Sequence, residues 1–150
     1  MEGGCFCGAV RYRLAGAPYD AGWCHCRTCQ RISGAPAMAF TTAALADFVV
    51  TRGEDAVGTV RTTSFGERRF CTRCGTPLTI HVDHQPDEID VTAASLDEPE
   101  AVRPGFHIFY ADRIGWAGAC DDLPRHDRLR PDTRGLPAGQ TAPLPPGEGE

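Results

Sequence analysis

The sequence contains no lysine, so all 15 of its basic residues are arginines, and they are scattered along the chain. They are outnumbered by 20 acidic residues, which gives a formal net charge of -5 and a pI of about 5.5. A protein that binds nucleic acid needs a clustered basic surface, often interleaved with aromatic residues. Because basic residues are neither in excess nor clustered, the sequence predicts that nucleic acid is not a partner.

Long apolar runs are also missing, and no stretch approaches the roughly 20 residues that cross a bilayer. The opening segment, residues 1–7, lacks the basic region followed by an apolar one that a secretory signal requires. We therefore expect a cytoplasmic protein with no membrane partner. Its 150 residues are 41% hydrophobic and 23% charged, which suits one globular domain with a real core.

Cysteine, in contrast, is abundant, with eight residues whose spacing favours metal ligands over disulfides. Thiols stay reduced in the cytoplasm, and a disulfide framework would spread them along the chain. Seven of them instead form the clusters Cys5-x-Cys7, Cys24-x-Cys26-x-x-Cys29 and Cys71-x-x-Cys74. The remaining one, Cys120, has no partner in the sequence and is expected to act as a small apolar residue.

The middle cluster places Cys24, Cys26 and Cys29 within six residues. A Cys-x-Cys pair in extended backbone projects both sulfurs to one side, and Cys-x-x-Cys is an ordinary spacing for a tetrahedral zinc ion. Three thiolates on one zinc leave a fourth position for water, substrate or another residue. An open position would make the zinc catalytic, whereas a fourth protein ligand would make it structural.

A histidine is the alternative fourth ligand, and His25, His81, His84 and His107 are the candidates. His25 lies between two of the cysteines, so extended backbone would turn it to the opposite face. His107 has apolar neighbours, which suits either the lining of a pocket or a core-edge position. We expect His84 and His126 to be exposed to solvent.

If the middle cluster shares one ion, four clustered thiols remain, and four thiolates make a closed structural zinc site. This second site would join the start of the chain to its middle through Cys5, Cys7, Cys71 and Cys74. Gly75 follows the last of these cysteines, where a knuckle turn needs positive φ. The sequence thus predicts two zinc ions per chain.

Short alternating segments separated by turn residues predict a mainly β domain with little helix. A single helical turn is expected between Thr42 and Ala46, and residues 113–116 are expected to pack across the end of the core. Residues 131–150 are rich in Pro and Gly and are expected to form a flexible tail beyond a domain of residues 1–130. The expected strands are residues 9–14, 37–40, 47–53, 57–65, 78–82, 88–92 and 106–110.

A tris-thiolate zinc has a net charge of −1 and is a weak Lewis acid, which suits binding of an exogenous thiol as its thiolate. A thiolate held beside a small carbonyl compound could add to it, and the reverse reaction would cleave a carbon–sulfur bond. Arg27 and Arg31 flank the cluster and could bind a carboxylate of the thiol substrate. Either one alone could equally be a solvated surface residue.

Four motifs together resemble the glutathione-dependent formaldehyde-activating enzyme family, which also includes centromere protein V. They are Gly-Gly-Cys-x-Cys-Gly-x-x-Arg-Tyr at residues 3–12, Cys-His-Cys-x-x-Cys followed by Ser-Gly-Ala at residues 24–35, Phe-Cys-x-x-Cys-Gly-Thr-Pro at residues 70–77, and the late pair His107 and Trp116. The resemblance runs from about residue 3 to residue 125.

The resemblance implies a β-tent fold of short antiparallel strands. It also implies a structural zinc on Cys5, Cys7, Cys71 and Cys74 and a catalytic zinc on Cys24, Cys26 and Cys29. The family reaction is that of a carbon–sulfur lyase, in which glutathione and formaldehyde equilibrate with S-hydroxymethylglutathione. The segments that would bind glutathione carry no motif that matches the family. A non-catalytic zinc module that binds a protein partner is the alternative function.

Overall fold

The computed structural model of the protein describes residues 1–134. It confirms the expected mainly β, β-tent-like architecture, with two sheets and a single short α-helix in the described part of the chain. None of the described helices is both long and apolar enough to span a bilayer. The strands are β1 (Glu2–Gly4), β2 (Arg11–Leu14), β3 (Tyr19–Cys24), β4 (Met38–Ala44), β5 (Phe48–Arg52), β6 (Val57–Thr63), β7 (Gly66–Cys71), β8 (Pro77–Val82), β9 (Glu88–Thr92) and β10 (His107–Ile108), and the helix is α1 (Arg27–Ser33).

The smaller sheet has the order β1-β2-β5, and the larger has the order β10-β3-β4-β9-β8-β7-β6. Neighbouring strands are antiparallel except for β10 and β3, which are parallel. The core of the smaller sheet follows directly from the alternation in β2, where Tyr12 and Leu14 are almost fully buried. A second apolar cluster around Met38, Phe40 and Phe106 supports the larger sheet on the side of α1.

The hairpin of β8 and β9 matches the sequence prediction, but β3 and α1 were not predicted. A glycine and an aspartate weaken the strand pattern of β3, and Gly22 is required there because a Cβ atom would lie 2.3 Å from the Phe106 ring. The helix α1 begins at an unusual cap, the sulfur of Cys26, which accepts a hydrogen bond from the Cys29 N–H at 3.3 Å. It ends at Gly34, whose φ of 65° terminates the helix in the left-handed region.

Two other local predictions were wrong. The segment Thr42–Ala44 continues β4, and the helical turn begins only at Leu45 as a 3-10 helix (Leu45–Asp47). Pairing with β9 runs from Phe40 to Ala44 and holds this segment extended, which outweighs the weak local helix preference. Trp116 does not pack across the core, since 79% of its surface is exposed.

The last described residues return to the larger sheet and extend it. The His107 N–H donates to the Pro124 carbonyl at 2.8 Å, and the Phe109 N–H donates to the Arg128 carbonyl at 3.1 Å. Farther along, the Arg130 guanidinium lies over the Phe106 ring at 4.2 Å. The predicted flexible tail lies outside the described residues from residue 135 onward.

Candidate active site

The four-cysteine cluster consists of Cys5, Cys7, Cys71 and Cys74, whose sulfurs all lie within 4.8 Å of one another. Two of the separations are 3.5 Å, between Cys5 and Cys7, and 3.8 Å, between Cys7 and Cys71, so none of these thiols is in a disulfide. Zinc–sulfur bonds of about 2.3 Å in a tetrahedron place the sulfurs about 3.8 Å apart. The four sulfurs therefore fit one tetrahedral metal ion.

Two tight turns hold this cluster together. Gly8 and Gly75, with φ of 72° and 76°, allow the chain to fold back after each cysteine pair. Backbone N–H groups point at the sulfurs, and that of Val10 lies 3.2 Å from Cys5 Sγ. Hydrogen bonds from the Thr76 side chain and backbone lower the pKa of the Cys74 thiol to about 5, which favours the thiolate that a metal requires.

The three-cysteine cluster consists of Cys24, Cys26 and Cys29, whose sulfurs also lie within 4.8 Å of one another. The end of β3 supplies Cys24, the helix cap supplies Cys26, and the first turn of α1 supplies Cys29. Within residues 1–134, no histidine, aspartate, glutamate or further cysteine joins this group as a fourth ligand. The cluster thus offers three sulfurs to a metal ion.

Arg68, on β7, is the partner that sequence analysis missed. Its side chain is buried, and Nη2 donates to Cys29 Sγ at 3.2 Å. None of the ion pairs formed by residues 1–134 involves Arg68, so the cysteine sulfur takes the place of a carboxylate. Hydrogen bonds from the Cys24 and Cys26 thiols, and then the Arg68 charge, lower the pKa of Cys29 well below its usual value.

This arrangement has the charge that a metal site of three thiolates requires. Three thiolates and a divalent cation sum to −1, and one buried guanidinium brings the total to zero. A buried charge without compensation is strongly unfavourable, so a guanidinium here is expected to face a net negative group. The donor set and the counter-charge together fit a divalent ion that prefers sulfur ligands, of which zinc is the common example.

His25 and His107 form a buried chain behind the three-cysteine cluster. His25 Nε2 lies 2.8 Å from His107 Nδ1, and His107 Nε2 lies 3.1 Å from both carboxylate oxygens of Asp121. Of the two positions left open for His107, the structure shows a buried one at the edge of the core, because the parallel pairing of β10 with β3 places its ring beside His25. The expectation that His84 is exposed was wrong, since it is half-buried and lines the cavity described next.

A cavity of about 690 Å³ opens in front of the three-cysteine cluster. This volume lies in the range of small-molecule sites, about 300–1,000 Å³. Its walls are largely apolar and include Phe40, Ile80 and Phe106. Several arginines also line it, namely Arg27, Arg31, Arg68, Arg128, Arg130 and Arg134. Four acidic residues line it as well, so arginines outnumber carboxylates by six to four in a protein whose overall charge is negative; they are Asp20, Glu88, Asp90 and Asp112.

Acidic residues on one side of the cavity fix two of these arginines. Arg130 and Arg134 both contact the Asp20 carboxylate, at 3.2 and 3.0 Å. Arg134 also lies 2.8 Å from Glu88 and stacks on the Tyr19 ring at 4.3 Å. The opposite side carries Arg27 and Arg31 on α1, where the Gln30 side chain accepts a hydrogen bond from Arg27. Both arginines line the cavity.

Comparison with known proteins agrees with this architecture. The family model described as glutathione-dependent formaldehyde-activating enzyme matches residues 1–112. A relative in Halomonas elongata, named "Putative glutathione-dependent formaldehyde-activating enzyme", is 30% identical over 127 residues, which are 77% of this chain and 78% of that protein. A relative in Schizosaccharomyces pombe, named an uncharacterized lyase, is 36% identical over 77 residues, which are 51% of this chain and 54% of its own length.

The crystal structure of a Rhodobacter sphaeroides protein is similar in fold. Its TM-score is 0.57 at 30% sequence identity, and the match covers 69% of this chain and 92% of that chain.

Proposed function

Because the chain belongs to the glutathione-dependent formaldehyde-activating enzyme family, we propose that it is a zinc-dependent carbon–sulfur lyase. The proposed reaction is the reversible addition of a thiol to a small aldehyde. Glutathione and formaldehyde, which form S-hydroxymethylglutathione, are the proposed pair. The observation that carries the proposal is the position of a cluster with only three sulfurs on the wall of a ligand-sized cavity.

The two clusters have different roles in this proposal. The four-cysteine cluster holds a structural zinc, since its four sulfurs complete a tetrahedron and join residues far apart in sequence. The three-cysteine cluster holds the catalytic zinc, which when bound would favour loss of the thiol proton and keep the substrate sulfur as a thiolate. Two zinc ions per chain follow. The eight free thiols of the described chain suit a reducing, cytoplasmic location.

Side chains around the cavity bind and orient the thiol substrate. Arg27 and Arg31 on α1 bind a substrate carboxylate, for which guanidinium groups have the matching geometry. Phe40 and Phe106 form an edge-to-face pair, with ring centroids 6.0 Å apart, that keeps one wall apolar. Arg68 balances the negative charge of the three thiolates and stabilises their ionised form.

The test is the rate at which formaldehyde and glutathione exchange with their adduct, followed by NMR with and without protein. The zinc-loaded protein is expected to accelerate the exchange, and Cys29→Ala is expected to abolish the acceleration while retaining one zinc. Cys120→Ala is the matched control, because this exposed thiol lies outside both clusters. A protein with two zinc ions and no effect on the exchange would rule out the proposed pair and favour a non-catalytic zinc module.

A further inference from the structure

Asp90 occupies the cavity face of the larger sheet, in line with Arg68. In the strand register, Asp90 of β9 pairs with Ile80 of β8, and Ile80 pairs with Arg68 of β7. On its other side Asp90 pairs with Thr42 of β4. Residues that pair directly across strands project to the same face of a sheet. The four side chains therefore form a row, and all four line the cavity.

The Asp90 carboxyl is placed like a reactive group rather than like a structural ion pair. It forms no ion pair within residues 1–134, and Arg68, the buried guanidinium in the same row, donates to a cysteine sulfur. Among the described residues, the Thr42 hydroxyl donates a hydrogen bond to it, at 2.7 Å from Oδ1. A half-buried carboxyl that lines a cavity without a cationic partner is unfavourable for folding, which makes it a candidate functional group.

The surroundings of this carboxyl allow both its protonated and its ionised form near neutral pH. Burial raises the pKa of Asp90 to about 7, and the negative charges of Cys29 on α1 and Glu88 on β9 act in the same direction. The Thr42 hydrogen bond and the positive charge of Arg68 on β7 act against it. The residue that faces it from β8, Ile80, carries no charge. A general acid or base works best when its pKa is near the operating pH.

We propose that Asp90 is the catalytic acid and base that transfers the proton of the hydroxymethyl oxygen. This inference rests on the proposed function, because it needs an aldehyde oxygen between the three-cysteine cluster and Asp90. The proton passes between that oxygen and the carboxyl directly or through one water molecule.

The proton and electron balance closes within the reaction. During addition, the sulfur lone pair forms the carbon–sulfur bond, and the carbonyl π electrons move to oxygen, which takes the proton of the Asp90 carboxyl. During cleavage, the Asp90 carboxylate removes the hydroxyl proton, the carbonyl forms again, and the carbon–sulfur bond electrons return to sulfur. The proton lost from the free thiol replaces the one that Asp90 donates, so no oxidant or further reactant is required.

The two directions therefore need opposite ionisation states of one residue. Addition requires the protonated carboxyl, and its maximal rate is expected to fall as the pH rises above about 7. Cleavage requires the carboxylate, and its maximal rate is expected to fall below the same pH. A residue with only a structural role would not produce this mirror-image pair of profiles.

The test measures initial rates of addition and cleavage between pH 6 and 8.5 for the zinc-loaded wild type and for Asp90→Asn. The variant is expected to lose about 100-fold or more in kcat in both directions, with KM for the thiol little changed. Added formate or acetate is expected to restore part of the lost rate. Thr42→Val removes the hydrogen bond that lowers the pKa, so its two profiles are expected to shift to higher pH.

Asp87→Asn is the matched control, because this carboxyl lies on the exposed loop before β9. Zinc content and thermal unfolding show whether each variant is folded. Folded Asp90→Asn with wild-type kcat and an unchanged pH profile would overturn the role of Asp90 while leaving the proposed function intact. A wild type that accelerates neither direction would overturn the proposed function and the role of Asp90 with it.

Discussion

Replacing Arg68 by methionine is expected to weaken metal binding at the three-cysteine cluster while sparing the four-cysteine cluster. Methionine retains much of the length and apolar volume of the side chain and places a thioether beside Met38, which already contacts Arg68. What it removes is the buried positive charge 3.2 Å from Cys29 Sγ. The net charge of the metal-bound cluster and its surroundings then changes from zero to −1.

The size of the effect follows from that distance. Two unit charges separated by 3.2 Å interact by about 5 kcal/mol at an effective dielectric constant of about 20. Removing one partner of a buried pair is typically unfavourable by about 3–5 kcal/mol. Since 1.4 kcal/mol is a factor of ten in affinity, even about 3 kcal/mol corresponds to a metal affinity about a hundredfold weaker.

The assay is competition between the protein and a chromophoric chelator for zinc, or for cobalt(II), whose sulfur-to-metal absorption reports the ligands directly. The wild type is expected to release its two metals in two steps, and Arg68→Met is expected to lose one of them much earlier. Arg68→Lys, which keeps the charge but not the planar hydrogen-bonding group, should lie between the two. An Arg68→Met protein that binds both metals with wild-type affinity would refute the charge-balance argument.

Three further outcomes follow from the structure. Cys71→Ala is expected to abolish soluble folding, because the free energy of binding a structural zinc, about 10–16 kcal/mol, is comparable to the whole stability of a domain. Cys29→Ala is expected to stay folded. Circular dichroism that shows both variants equally unfolded would contradict the division of roles between the two clusters. The raised pKa of Asp90 means that the folded state keeps a proton that the unfolded chain loses above pH 4, so stability is expected to decrease by up to about 4 kcal/mol as the pH rises from 4 to 7. Asp90→Asn should remove this decrease. If urea unfolding shows that the free energy of unfolding changes equally with pH in the variant and the wild type, the pKa of Asp90 is normal. Trp116→Ser is expected to change the free energy of unfolding by less than about 0.5 kcal/mol, because the side chain is 79% exposed; a larger loss in urea unfolding would mean that the indole is packed.

Features that depend on residues close together in the chain, such as cysteine spacing and strand alternation, could be recognised in the sequence. The spacing of Cys24, Cys26 and Cys29 already limits their sulfurs to one neighbourhood, and the structure brings them within 4.8 Å of one another. Alternation in the segment Arg11–Leu14 likewise predicted a strand and its buried face, since the period of a strand is a property of the local backbone. The pairing of Cys5 and Cys7 with Cys71 and Cys74 could also be anticipated, because four sulfurs complete a tetrahedral site.

One strand and the α-helix were not predicted, because their sequences carry weak local signals for secondary structure. The strand Tyr19–Cys24 carries glycine at a position that only the Phe106 ring explains, and the helix Arg27–Ser33 begins at a cysteine cap rather than at the usual serine or aspartate. The strand depends on a ring distant in the chain and the helix on an unusual cysteine cap, so the common local patterns did not reveal them. The sequence left the position of His107 open for the same reason, because its hydrogen bonds to His25 and Asp121 depend on a distant strand pairing.

The amino-acid sequence by itself thus determined the cysteine clusters that could hold metal ions and the mainly β class, because the cysteine spacings and the strand alternation are local patterns. Only the tertiary structure decided what surrounds the three-cysteine cluster. Arg68 reaches Cys29, and Asp90 shares its row, through a strand register that connects residues tens of positions apart. Their burial gives these two ordinary charged residues their expected roles, since a charge acts strongly only where water is excluded.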